Sequence, residues 1–178
     1  MTNEILVAGF GGQGVMAIGK TLTEAGMKEG KEVSWLPSYG PEMRGGTANC
    51  SVVLSDDPIV SPIVLEPSEL IAMNLPSLIK FEPTVKSGGT IFVNSSVIDK
   101  KVERDDVKVV YVDCLKIADE LGNAKVANMV MLGAYIEAMK NLSTDTIKEM
   151  LVHMFTGPKA NLVDLNIEAL KRGAACVK

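Results

Sequence analysis

Apolar runs and glycine-rich turns alternate along the chain in a strand–helix rhythm. Ile5-Leu6-Val7-Ala8 is a short aliphatic run suited to a buried parallel strand. It leads directly into Gly9-Phe10-Gly11-Gly12-Gln13-Gly14. Beyond that turn, Val15, Ile18, Leu22 and Ala25 share one helical face, and Gly30 ends the helix. Glu32–Leu36 predicts a second strand before Pro37. The first forty residues thus predict strand, glycine turn, helix and strand, a βαβ unit.

Ser38 to Gly46 carries three glycines and a proline and predicts a loop. Thr47–Ser55 follows as a strand and Asp56-Asp57-Pro58 as a turn. Ile59–Leu65, broken by Pro62, predicts an edge strand. Leu70–Met73, Thr90–Asn94 and Val107–Val112 predict further strands, with a helix over Pro76–Val85 between the first two. Cys114–Leu121 reads as a helix with Gly122 just past its end. Val126–Met139 is a nearly all-round apolar helix. Ser143 can cap a helix running to about Met154, and Pro158 to Gly173 can hold a last one. The expected architecture is a single α/β domain over residues 1–178, a Rossmann-like layered sheet with helices on both faces.

Composition narrows the function. The 178 residues carry a net charge of −4 and no Lys/Arg block, which argues against a nucleic-acid binder. Three scattered cysteines and one histidine, His153, cannot build a local zinc or iron–sulfur site. Three cysteines would leave a secreted scaffold with an unpaired thiol, so a reducing cytoplasm is expected. Met1-Thr2-Asn3-Glu4 lacks the basic start of a signal peptide. Val126–Met139 contains Asn128 and Glu137 and is too short to span a bilayer.

The glycine turn carries the chemistry. Gly9, Gly11 and Gly14 follow a strand and open a helix, so free N–H groups at the helix start can meet a phosphate. A dinucleotide site usually adds an acidic residue at the end of the second strand. Here that strand ends Trp35-Leu36-Pro37-Ser38, with Glu32 at its start. No Gly-Lys-Ser/Thr closes the turn as in a P-loop. The alternative is that the glycines serve only close helix–sheet packing. The second loop, Tyr39-Gly40-Pro41-Glu42-Met43-Arg44-Gly45-Gly46, brings a ring, a carboxylate and a guanidinium on glycine hinges. It is expected at the same crevice, where Arg44 can clamp a phosphate or carboxylate.

Together these two loops resemble the gamma subunit of the 2-oxoacid:ferredoxin (acceptor) oxidoreductases. Pro58–Pro62, Leu70–Asn74 and Asn128–Ala134 extend the likeness over essentially the whole chain. The Tyr-Gly-Pro-Glu-Met-Arg-Gly-Gly wording is most similar to the 2-oxoglutarate branch, with pyruvate and branched-chain 2-oxoacids as alternatives. The resemblance implies the fold of domain III of pyruvate:ferredoxin oxidoreductase. It also implies a place in a complex that oxidatively decarboxylates a 2-oxoacid, transfers the acyl group to coenzyme A and passes electrons to ferredoxin or another acceptor. Thiamine diphosphate, magnesium and iron–sulfur clusters are expected on sister alpha, beta and delta subunits, and the isolated chain is expected to be inactive. No catalytic or metal-binding residue is expected here. The candidate cofactor-binding residues, toward coenzyme A, are Gly9, Gly11, Gly12, Gln13, Gly14, Tyr39, Glu42 and Arg44.

Two other readings compete with this one. One is a docking subunit without ligand, using its ten methionines as adaptable packing. The other is a free-standing dinucleotide-dependent dehydrogenase, which the absent acidic residue opposes. His153 reads as a helix-end residue. Cys114, at a helix start, is either a thiol of lowered pKa or a buried structural one.

Overall fold

The structure, a computed structural model, describes residues 1–39 and 46–177. Its strands are β1 (Thr2–Phe10), β2 (Glu32–Tyr39), β3 (Thr47–Ser55), β4 (Glu69–Ala72), β5 (Thr90–Asn94) and β6 (Lys108–Val112). Its α-helices are α1 (Val15–Lys28), α2 (Leu75–Phe81), α3 (Cys114–Glu120), α4 (Ala127–Met139), α5 (Thr144–Met154) and α6 (Val163–Ala174). Short 3₁₀ turns extend α2 at its end and lead into α4 and α6. The predicted Ser143 cap forms, its hydroxyl accepting from the Asp145 N–H at 3.2 Å.

The six strands form one sheet in the order β2-β3-β1-β4-β5-β6. β1, β4, β5 and β6 are parallel, with Val7 beside Ile71 and Ile71 beside Phe92. Residues of β4 and β5 are buried throughout, as the apolar runs Leu70–Ala72 and Ile91–Val93 require, with Glu69, Thr90 and Asn94 buried at the strand ends. β3 enters antiparallel between β1 and β2. This corrects the simple βαβ unit: β2 does run parallel to β1, but one strand away. The edge position also lets β2 continue through Pro37, whose missing N–H is tolerated there. Ile59–Leu65 forms no strand. Pro58, Pro62 and Pro67 interrupt the donors a ladder needs, and Val60, Ile63 and Leu65 are exposed on an irregular segment.

Helices cover both faces unequally. On one face Ile5, Val7, Val52, Ile71 and Phe92 meet α1, α3, α4, α5 and α6. On the other, Leu6, Leu70, Ala72, Ile91 and Val93 meet α2 and the 95–107 segment. Buried on its own face pair, α4 needs apolar residues all round, as its sequence has. It crosses α6 at backbone contact. A Cβ on Gly133 would lie 2.1 Å from the Leu170 carbonyl oxygen, and one on Gly173 would lie 1.8 Å from that of Val130.

One buried charge works against the fold. Glu69, 3% exposed, accepts from Asn3 Nδ2 at 3.0 Å, while its Oε2 has no partner among the described residues. Burial pushes its carboxyl above the ordinary value, against the pull of the Asn3 amide. A raised folded-state pKa means stability that is fully present below the unfolded value near pH 4.5 and is lost as pH rises through the folded one. Glu69→Gln is therefore expected to stabilise the chain at pH 7 by about 1 kcal/mol. In urea titrations the gain should vanish below pH 4; an equal gain at both pH values would refute the charge account.

Candidate functional site

The site lies where chain connections diverge from the sheet centre. β1 is followed by α1 on one face, and the adjacent β4 is followed by α2 on the other. A crevice opens between the carboxyl ends of two strands so connected, the usual ligand position in an α/β sheet.

The glycine turn fills that crevice's rim. Gln13 N–H donates to the Phe10 carbonyl at 3.2 Å, closing the turn. Gly12 and Gly14 sit at φ 93° and 77°, in the left-handed region that favours glycine. Gly9 is needed for approach: an added Cβ would lie within 2.9 Å of Gln13, Met73 and Val15. The Gln13 side chain is engaged by backbone. Its Oε1 accepts from the Phe10 N–H at 2.7 Å, and its Nε2 donates to the Met73 carbonyl at 3.0 Å. It thereby pins the turn to the end of β4. Gln13→Ala is expected to cost about 1–2 kcal/mol. Thermal unfolding checks this, and an unchanged midpoint would refute the pinning role.

Helix α1 begins without a cap side chain, since Gly14 occupies the cap position. Ile18 is the first residue whose N–H finds a helical carbonyl, that of Gly14 at 3.0 Å. The N–H groups of Val15, Met16 and Ala17 therefore lack helical acceptors, and the first turn holds no acidic side chain. All three residues line a cavity of about 330 Å³, which Tyr39 and Ala48 also line. Donors and helix dipole together favour an anion there.

The two loops do meet. Gly11 N–H donates to the Gly46 carbonyl at 2.9 Å. Tyr39, half-exposed at the end of β2, borders the same cavity. Glu42 and Arg44 lie outside the described residues. Trp35 packs over α1, with its Nε1 3.1 Å from where a Gly19 Cβ would stand.

Residues not singled out as site candidates also reach the turn. Asn128 of α4 lays its amide across Gly14, with Nδ2 2.4 Å from a Cβ built there. Its Oδ1 accepts from the Met129 N–H. Asn128, Asn94 and Lys125 line a second cavity of about 360 Å³ beyond Gly12 and Gly14. The available signals were an amide inside an all-apolar helix and a polar residue closing a buried strand. Cys114 is fully buried, and burial pushes its thiol up, not down as a reactive helix-start thiol would be. Cys50, beneath Gly19, is pushed up to about 11 by burial. His153 is exposed on the last turn of α5. Among the described residues no three His, Cys, Asp or Glu side chains group as metal ligands. Nor is any helix long and apolar enough to cross a membrane.

Residues 4–176 match the family described as pyruvate ferredoxin/flavodoxin oxidoreductase. Ketoisovalerate oxidoreductase subunit VorA of Methanothermobacter thermautotrophicus is 40% identical over 171 residues, 96% of this chain and 35% of that protein. The chain thus spans about a third of that relative's length. The gamma subunit of keto/oxoacid ferredoxin oxidoreductase from Geobacter sulfurreducens superposes with a TM-score of 0.82 at 27% identity, over 98% of this chain and 97% of that one. The 2-oxoglutarate:ferredoxin oxidoreductase of Magnetococcus marinus, with 2-oxoglutarate, coenzyme A and succinyl-CoA bound, gives a TM-score of 0.90 at 25% identity. That match covers 98% of this chain and 31% of the other.

Proposed function

Because the chain belongs to the pyruvate ferredoxin/flavodoxin oxidoreductase family, we propose that it is the gamma component of a multisubunit 2-oxoacid oxidoreductase. Its own task is to hold a phosphate of coenzyme A and to pack against its sister subunits. The observation that carries this reading is the uncapped start of α1. Its first three residues, whose N–H groups have no helical acceptors, line a cavity beside glycines that admit close approach. A likeness to an oxidoreductase that binds coenzyme A supports the same ligand.

In such a complex a 2-oxoacid is oxidatively decarboxylated, coenzyme A takes the acyl group and electrons pass to ferredoxin or another acceptor. Thiamine diphosphate with magnesium supplies the decarboxylation chemistry, and iron–sulfur clusters carry the electrons. Both groups are assigned to the sister alpha, beta and delta subunits. The residues here bind and orient. The substrate class is a 2-oxoacid. The wording of residues 39–46 favours 2-oxoglutarate, whereas one relative acts on ketoisovalerate. The exposed Val60, Ile63 and Leu65 suit contact with a sister subunit. Three cysteines without a disulfide fit a reducing cytoplasm.

A photoactivatable coenzyme A, crosslinked within the purified complex, tests the reading. Label on this chain near the glycine turn is expected. Label confined to sister subunits would leave only a docking role.

A further inference from the structure

β6 is the outermost strand on its side of the sheet, paired with β5. That pairing fixes which of its backbone groups are used. The Lys108 N–H donates to the Gly89 carbonyl at 2.8 Å, and the Val112 carbonyl accepts from the Ser95 N–H at 2.9 Å. Backbone groups alternate between the two sides of a strand, so Lys108, Val110 and Val112 bond inward to β5. The N–H and C=O groups of Val109 and Tyr111 therefore point outward. Among the described residues, no element outside the sheet donates to them or accepts from them. Lys108, Val109, Val110 and Tyr111 all keep accessible surface. The strand also lacks the usual guards of an edge. Its register is unbroken, it holds no proline, and apart from Lys108 it is β-branched or aromatic.

We propose that β6 pairs antiparallel with β6 of a second copy of this chain, about a two-fold axis at Val110, joining two six-stranded sheets into one of twelve. In this register Val109 of each copy lies opposite Tyr111 of the other. Each such pair exchanges its free N–H and C=O groups and sets a β-branched side chain against a ring. Lys108 lies opposite Val112, so the charge within the strand does not meet itself. An axis at Lys108 would set the two lysines face to face. Charge at the strand ends selects the same orientation. The chain approaches β6 from exposed Asp105 and leaves it toward exposed Lys116. Asp106 and Asp113 are already engaged, by Arg104 and by Ser96. The two-fold brings the Asp105 end of each strand beside the Lys116 end of the other. The crevice between β1 and β4 lies mid-sheet and stays open.

The test is sedimentation equilibrium of the full chain, joined with amide hydrogen exchange at low and high concentration. A monomer–dimer equilibrium with a Kd on the order of 10–100 μM is expected. Exchange at Val109 and Tyr111 should be fast in the dilute chain and slow about 10-fold as the dimer forms, while Val110 and Val112 stay protected throughout. Lys116→Glu sets like charges together at both strand ends and is expected to weaken the dimer about 3–10-fold at low salt, and adding Asp105→Lys should restore it. Both side chains are exposed, so neither change disturbs the core. Failure of the second change to rescue the first overturns the two-fold at Val110. A chain still monomeric at about 1 mM overturns the proposal, as does a dimer that leaves Val109 and Tyr111 exchanging fast. Protection of these two amides only when sister subunits are present assigns the edge to one of their strands and overturns it as well.

Discussion

Gly173→Ala is expected to destabilise the chain by about 3–4 kcal/mol, lowering the unfolding midpoint by roughly 10 °C. The new methyl group would sit 1.8 Å from the Val130 carbonyl oxygen and 3.1 Å from the Ala134 nitrogen. Both are backbone atoms of α4, so no rotamer change relieves the clash. The helices must separate, and α4 is held from its other sides by the sheet and by α3. Gly133→Ala meets the Leu170 carbonyl in the same way and should behave alike. Gly30 offers a baseline. It has a φ of 78° and open space around it, so alanine there costs about 1–2 kcal/mol from backbone strain alone. Urea unfolding of the three variants measures the difference. A Gly173→Ala loss no larger than that of Gly30→Ala would mean the helices do not cross at backbone contact.

Gly12→Asp is expected to weaken coenzyme A binding on the order of 100-fold. A Cβ at Gly12 meets nothing within 4 Å, so space is not the obstacle. The left-handed φ of 93° does impose strain, though Asp and Asn tolerate that region better than most residues. What Asp adds is a carboxylate beside the N–H groups that would hold a phosphate. Gly12→Asn has nearly the same shape and strain without the charge, and it should retain most of the affinity. Titration of both variants at low and moderate salt separates the terms. The gap between them should narrow as salt rises. Equal affinity in the Asp and Asn variants would remove the phosphate from the glycine turn.

The elements near the site were legible because their signals are local. The aliphatic run of β1, the glycine turn and the apolar face of α1 are contiguous and leave one reading. β4 and β5 were equally plain as short apolar runs between turns. Strand order was not legible, because periodicity says which residues form a strand and not which neighbour they choose. β3 lies next to β2 in sequence, and the hairpin they form brings it back beside β1. Ile59–Leu65 forms not even an edge strand, because Pro62 breaks it and Pro58 and Pro67 bound it, denying it the donors a ladder needs. Around the candidate crevice, Gly11 to Gly14 and Tyr39 stood out in the sequence, and all of them line its cavities. Asn128 reaches Gly14 from a distant part of the chain; its amide stands out in an apolar helix, but nothing local to it says which turn it meets. Gln13 was visible as a polar residue in the turn. Its hydrogen bond to Met73, sixty residues away, was not.

Pro37 has a consequence for assembly. β2 is the outermost strand on its side of the sheet, and a free strand edge is an invitation to add another strand. Pro37 pairs with Cys50 on the inner side, so its ring and absent N–H interrupt the outer row of donors within β2. A second copy or an extended peptide laid along that edge would meet a break in the ladder. Strand addition is thereby disfavoured on the β2 side of the sheet. Contacts on this flank are left to side chains, with Leu36 and Tyr39 exposed beside the break.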